Sequence, residues 1–143
     1  MKVSIKRFDK SLPLPVYKTA GAACVDLCSR IDITIPSHQI AYIPLNVALK
    51  IPQGYWSMMV PRSSTHKMGI MQANHMGVLD SDYCGDNDEY IFTAYNFTDK
   101  EVTIEKGTRI AQLMVQKYES IEFEESDHLD CNDRGGFGTT GNR

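Results

Sequence analysis

The chain has 143 residues, 42% of them hydrophobic, and a formal net charge of -3. This is enough for one domain with a sizeable core, since domains cluster near about 100 to 150 residues. Acidic and basic side chains are interspersed with no basic stripe, which argues against nucleic acid as a partner and leaves room for a small anionic ligand. No apolar run reaches the roughly 18 residues of a membrane helix, and the N-terminus is charged and alternating rather than a signal peptide. A soluble, cytoplasmic protein without membrane association is therefore expected.

In chain order, alternation with a period of two begins at Val3, Ile5 and Arg7 and stops at Leu12-Pro13-Leu14-Pro15. Ala23-Cys24-Val25-Asp26-Leu27 reads as an apolar strand carrying one acid. Ile31, Ile33 and Ile35 alternate up to Pro36-Ser37, and Ile43, Leu45, Val47, Leu49 and Ile51 up to Pro52-Gln53-Gly54. A strand leads into Val60-Pro61-Arg62-Ser63-Ser64-Thr65, and a β-like run ends in Gly77-Val78-Leu79. The stretch Tyr90 to Phe97, then Val102 with Ile104, then Arg109 to Leu113 complete the series, separated by Thr98-Asp99-Lys100 and Lys106-Gly107-Thr108. No amphipathic helix exceeds two turns, so the pattern predicts an all-β sandwich or barrel of many short strands. The methionines Met58, Met59, Met68, Met71 and Met76 are expected to fill the core. Cys24, Cys28, Cys84 and Cys131 are too scattered for a disulfide scaffold and are expected to be free, buried thiols.

From about Glu119 the chain turns acidic and then ends in Arg134-Gly135-Gly136-Phe137-Gly138-Thr139-Thr140-Gly141. Division into a body of residues 1–130 and a flexible arm of residues 131–143 follows. Exposed N–H groups, two hydroxyls and a guanidinium suit phosphate. A lone Phe137 in such an arm suits stacking on a planar base.

The segment Gly77-Val78-Leu79-Asp80-Ser81-Asp82-Tyr83-Cys84-Gly85 squeezes two carboxylates and a tyrosine between glycines after a β-like run. Glycine lets backbone approach a ligand closely, and either Asp80 or Asp82 can serve there as a general base. Asp26, alone among apolar neighbours, needs a partner, because an unpaired buried carboxylate costs several kcal/mol. An ion pair with an arginine is one solution and a metal shell another.

Taken in order, Ala23 to Leu27, Pro61-Arg62-Ser63-Ser64, Gly77 to Gly85, Arg109-Ile110-Ala111-Gln112 and Arg134 to Gly141 resemble the five motifs of the trimeric deoxyuridine triphosphatase (dUTPase) family. The resemblance runs from about Gly21 to Gly141. It implies a jelly-roll-like β-barrel, a homotrimer with shared sites, Mg²⁺ dependence, and hydrolysis of dUTP to dUMP and pyrophosphate. It also implies roles. Asp80 becomes the general base that activates water for attack on the α-phosphorus, and Asp82 a structural acid in a charge pair. Tyr83 lies against the deoxyribose and leaves no room for a 2′-hydroxyl. Backbone of Gly77, Val78 and Leu79, and again near Tyr90 or Ile91, pairs with the uracil edge, with Asn74 positioning water. Arg62, Ser63, Ser64 and Gln112 contact the α and β phosphates. Asp26 orients the Mg²⁺ complex through metal-bound water. Arg134, Gly138, Thr139 and Thr140 grip the γ-phosphate while Phe137 stacks over uracil as a lid.

The chain departs from the family pattern at Cys24 and Ser64, where glycine is usual, in a longer hairpin through Asp86-Asn87-Asp88-Glu89, and in a shorter tail motif after Arg134. Two alternatives are weighed. A dCTP deaminase-related enzyme shares Arg-Ser-Ser but needs a glutamate in the strand before Asn96, and Ile91 to Asn96 holds no acid. A nucleotide-gated binding protein acting on a regulatory protein partner is the other, and it is compatible with hydrolysis.

Overall fold

A computed structural model describes residues 1–136, so the expectations at Phe137, Gly138, Thr139 and Thr140 lie outside the described residues. The strands are β1 (Ser4–Arg7), β2 (Val25–Cys28), β3 (Ile33–Ile35), β4 (Ile40–Pro44), β5 (Val47–Lys50), β6 (Tyr55–Pro61), β7 (Ile70–Gln72), β8 (Gly77–Leu79), β9 (Ile91–Asn96), β10 (Val102–Ile104) and β11 (Arg109–Lys117). The one helical element among the described residues is a 3-10 turn at Thr65–Met68. This is the all-β architecture that the period of two predicts, jelly-roll-like as the family resemblance implies, with breaks where Pro and Gly punctuate the sequence.

Pairing is antiparallel throughout. β2-β11-β6-β8 form a four-stranded sheet, β4-β9-β7 a three-stranded one, and β1-β5 and β10-β3 are two-stranded. Leu27, Ile35, Ile43, Ile70, Phe92 and Ile110, drawn from both larger sheets and from β3, meet in one core with 1% exposure or less. The ends of strands are tied by Asn96, which is fully buried. Its Nδ2 donates to the carbonyls of Ile35, Pro36 and Lys100 at 2.9, 3.1 and 2.7 Å, and its Oδ1 accepts from Thr98. Each of its polar atoms is satisfied, as burial requires.

Several expectations are corrected. Of the five methionines only Met59 is fully buried; Met71 and Met76 are 46% and 40% exposed. Met71 alternates between buried Ile70 and Gln72 on β7, so strand geometry turns it outward. The four cysteines are free, but Cys24, Cys28 and Cys84 are half-buried and Cys131 is exposed. Ile5 of the edge strand β1 is also exposed, because β1 pairs with β5 alone. Residues 118–136 form no strand or helix, and Ile121, Phe123 and Leu129 within them face solvent.

Candidate active site

β8 lies against β6 with Gly77 opposite Met59, Val78 opposite Met58 and Leu79 opposite Ser57. Glycine at position 77 permits this close approach: a Cβ there would stand 2.9 Å from Met59 Cε and 3.3 Å from Met59 Cβ, so the methionine would have to shift. The chain leaves β8 at Asp80 and turns back through backbone bonds from Tyr83 N to Asp80 O and from Cys84 N to Asp82 O. Six of the predicted residues, Asn74, Gly77, Val78, Leu79, Tyr83 and Ile91, line with Asp80 and Met59 one cavity of about 300 Å³. Asp80 also lines a second, more polar cavity of about 490 Å³ with Gln53, Ser81, Asp82 and Tyr118. Asp80 therefore sits at the divide between two spaces, of which the second is the more polar. Asp82 is exposed and forms no ion pair with another described residue of the same chain.

Tyr83 is held at the cavity wall by two contacts. Its hydroxyl donates to the Glu89 carbonyl at 3.1 Å, and its ring stacks on Tyr90 with centroids 6.2 Å apart. Burial, then the negative charges of Asp88 and Glu89, push its phenol above the ordinary value, so it stays a protonated donor. Tyr90 is buried and shares a hydrogen bond with Ser57 Oγ at 2.9 Å.

A second constellation forms at the other end of β6. β11 runs between β2 and β6, placing Gln112 opposite both Asp26 and Val60. Asp26 Oδ1 accepts from Arg62 Nε at 3.0 Å and Oδ2 from the Arg109 guanidinium at 2.9 Å. The arginine pairing weighed for Asp26 is thus present, in duplicate, and the trio keeps one excess positive charge. Arg62 also reaches Ser64 Oγ at 3.4 Å, Ser63 is exposed, and Gln112 Nε2 donates to the Pro61 carbonyl at 3.1 Å. Buried Thr65 fixes the turn, accepting from Arg62 N and donating to the Ile110 carbonyl. The sequence reading assigned no role to Arg109 or Thr65, although both lie within or beside the motif segments.

No group of three or more His, Cys, Asp or Glu side chains converges for a metal among the described residues. A carboxylate offers about four acceptor positions, of which two are occupied at Asp26. Asp26 therefore has acceptor positions left that fit a contact to the water shell of a hydrated cation.

The two constellations do not meet within one chain. By the β6-β8 register Asp80 falls level with Trp56, while Arg62 follows Pro61 at the opposite end of the strand. Six residues of strand separate them, about 20 Å. Arg134 is exposed and outside both constellations.

Residues 10–141 match the sequence profile of the dUTPase family. The chain belongs to the dUTPase family. Among dUTPase relatives, it is 39% identical over 145 residues to the SPbeta prophage-derived deoxyuridine 5′-triphosphate nucleotidohydrolase YosS of Bacillus subtilis (strain 168), covering all of both chains. It is 42% identical over 146 residues to the deoxyuridine 5′-triphosphate nucleotidohydrolase of Finegoldia magna, covering 99% of each. The crystal structure of the Streptococcus mutans dUTPase superposes with a TM-score of 0.76 at 27% identity, over 83% of this chain and 98% of that one. The Staphylococcus bacteriophage 80alpha dUTPase with dUPNHPP shares the fold, with a TM-score of 0.86 at 21% identity over 98% of each chain.

The least legible part of this dUTPase site is Glu89. It ends the stretch that reads as surplus hairpin, yet it is 8% exposed and bound through both oxygens to Arg30 Nε and Nη2, at 2.7 and 2.9 Å. The backbone N–H of buried Asn46, which has φ of 70°, donates to the same carboxylate at 2.8 Å. Fifty-nine residues separate Arg30 from Glu89. The one local signal was an acid placed directly before an apolar strand.

Proposed function

We propose that this dUTPase hydrolyses dUTP to dUMP and pyrophosphate at sites shared between chains of a homotrimer, with Asp80 as the general base. The observation that carries this reading is the position of Asp80 at the divide between the cavity of Gly77, Val78, Leu79, Tyr83 and Ile91 and a polar space beside it. Uracil and deoxyribose occupy the first; the α-phosphorus then lies near the carboxylate. A base needs to reach the attacking water within about 3 Å, and Asp80 is exposed and unpaired by any cation among the described residues.

Backbone groups of Gly77 to Leu79 and of Ile91 read the uracil edge, Asn74 holds a water, and the Tyr83 ring excludes a 2′-hydroxyl. The strand Ile91 to Asn96 offers no carboxylate for deamination, which weighs against a dCTP deaminase-related activity. Charge grows on the leaving pyrophosphate as the α-β bond breaks. Arg62, Ser63, Ser64 and Gln112 stabilise it as preorganised donors. The separation of about 20 Å between Asp80 and Arg62 along β6 supports supply of the two halves by different chains. Mg²⁺, when bound to the triphosphate, supplies charge neutralisation at the phosphate oxygens. Asp26 would hold the water shell of that complex, with its carboxylate fixed by Arg62 and Arg109. Arg134, Gly138, Thr139 and Thr140 take the γ-phosphate and Phe137 covers the base.

Pyrophosphate release from a panel of deoxy- and ribonucleoside triphosphates tests the reading. Release from dUTP alone, with no ammonia from dCTP, is expected. Equal release from UTP or dTTP refutes it. Truncation before Arg134 should leave a folded oligomer with little activity, and a fully active truncation refutes the arm's role.

A further inference from the structure

The extra residues of the hairpin end in a partly buried ion pair, Glu89 buried and Arg30 half-buried, that no step above uses. Glu89 is held by Arg30 in a two-pronged contact and by Asn46 N, while Arg30 N itself donates to the Pro44 carbonyl at 2.8 Å. The following residue, Tyr90, is bonded on both sides, its N–H to the Val47 carbonyl and its carbonyl to the Leu45 N–H. The peptide group between them carries the Glu89 carbonyl, and that carbonyl is the acceptor for the Tyr83 hydroxyl. Tyr83 has no other side-chain hydrogen bond among the described residues, and its ring stacks on Tyr90. The turn it sits on, Asp80 to Asp88, is largely exposed and its backbone bonds run mainly within the turn itself, so they tie the ring only weakly to the body of the fold.

We propose that Glu89 and Arg30 are positioning residues for sugar selection: their pair fixes the Glu89 carbonyl, which in turn fixes the Tyr83 ring against the deoxyribose. The proposal rests on the reading of Tyr83 as the wall that excludes a 2′-hydroxyl. Steric rejection of one small group needs a wall that does not yield, because a shift of well under the size of an oxygen atom admits it. A wall carried on an exposed turn needs a rigid support from the body of the fold, and the Arg30–Glu89 pair links the hairpin to the β2-β3 loop and to the bend before β5. Direct contact with the substrate is not part of this role.

The test compares wild type, Glu89→Gln, Tyr83→Phe and the double variant, each checked for folding by thermal melting. The quantity read is the ratio of kcat/KM for dUTP to that for UTP. The ratio is expected to fall about tenfold in Glu89→Gln, at the low end of what steric exclusion of a small group supplies, chiefly through a lower KM for UTP. Turnover of saturating dUTP should stay near wild type, which a general loss of structure would not allow. Tyr83→Phe loses the bond to the Glu89 carbonyl and should lower the ratio likewise. The double variant should lose little more, since both changes break one chain of contacts. A folded Glu89→Gln with the wild-type ratio overturns the proposal, as does a double variant whose losses simply add. If Glu89→Gln does not fold, Arg30→Lys decides: it keeps the charge but gives up the two-pronged contact, and an unchanged ratio overturns the proposal. Calorimetric binding of dUMP against UMP supplies the same comparison without turnover. A wild-type chain that prefers dUMP yet releases no pyrophosphate would refute the hydrolysis reading and leave the clamp standing.

Discussion

Replacing Gly77 with alanine probes the closest approach in the site. The new Cβ would meet Met59 Cε at 2.9 Å, Met59 Cβ at 3.3 Å and the Met59 carbonyl oxygen at 3.5 Å. Gly77 does not have positive φ, so packing alone decides the outcome. The Cε can swing away because the methionine chain is flexible. Met59 Cβ moves only with β6, so some overpacking remains. Overpacking costs about 1–3 kcal/mol, and loss of glycine's freedom in the unfolded chain offsets about 0.4–1 kcal/mol of that. The net is about 1 kcal/mol, a fall in Tm of about 3–5 °C for a chain of this size. The functional effect is larger in proportion, because Met59 and Gly77 line the same cavity. A thioether displaced into that space should raise KM for dUTP about tenfold and leave kcat nearly unchanged, the mark of lost uniform binding. Initial-rate pyrophosphate release and a thermal melt read both. Wild-type KM together with wild-type Tm would refute the close-approach argument, and a lowered kcat at constant KM would refute the assignment of this wall to binding.

Asp80→Asn should reduce dUTP turnover by about a hundredfold or more while binding of a non-hydrolysable imido analogue, measured by calorimetry, is retained; near-normal turnover would make another group the base. Asn96→Ala should lower stability by about 3–5 kcal/mol in urea titration, since it strands several buried partners, and a loss below about 1 kcal/mol would contradict the network described. Asp9 is held below the ordinary carboxylate value of 3.8, first by Lys106 and then by Ser11. Its contribution is therefore present above that pH and lost as pH falls below it. Asp9→Asn should melt lower than wild type at neutral pH, and the two melting curves should converge as the pH drops below about 4.

Periodicity exposed most of the strands because side chains in a half-buried sheet must alternate, and Pro and Gly marked their ends. The motif residues were legible for a different reason: their chemistry is unusual for their surroundings, as with Asp26 in an apolar strand or two acids between glycines. What escaped was determined by partners far away in sequence. Glu89 looks like one more acid in a polar hairpin until Arg30 and Asn46 close around it. Thr65 looks like a turn residue until it bridges Arg62 and Ile110. The methionines misled because composition says how apolar a residue is, but only register says which way it points, and Met71 points outward.

The length of β6 has a consequence for damage. In the assembly proposed above, a chain lends its carboxylate to one centre and its arginines to another. A lesion at Asp80 and a lesion at Arg62, carried by the same subunit, silence two centres; carried by neighbouring subunits they can fall on one and spare the rest. Mixing two inactive variants, each broken at one of these positions, would restore about a quarter of the centres by random reassortment, so the oligomer can complement its own defects.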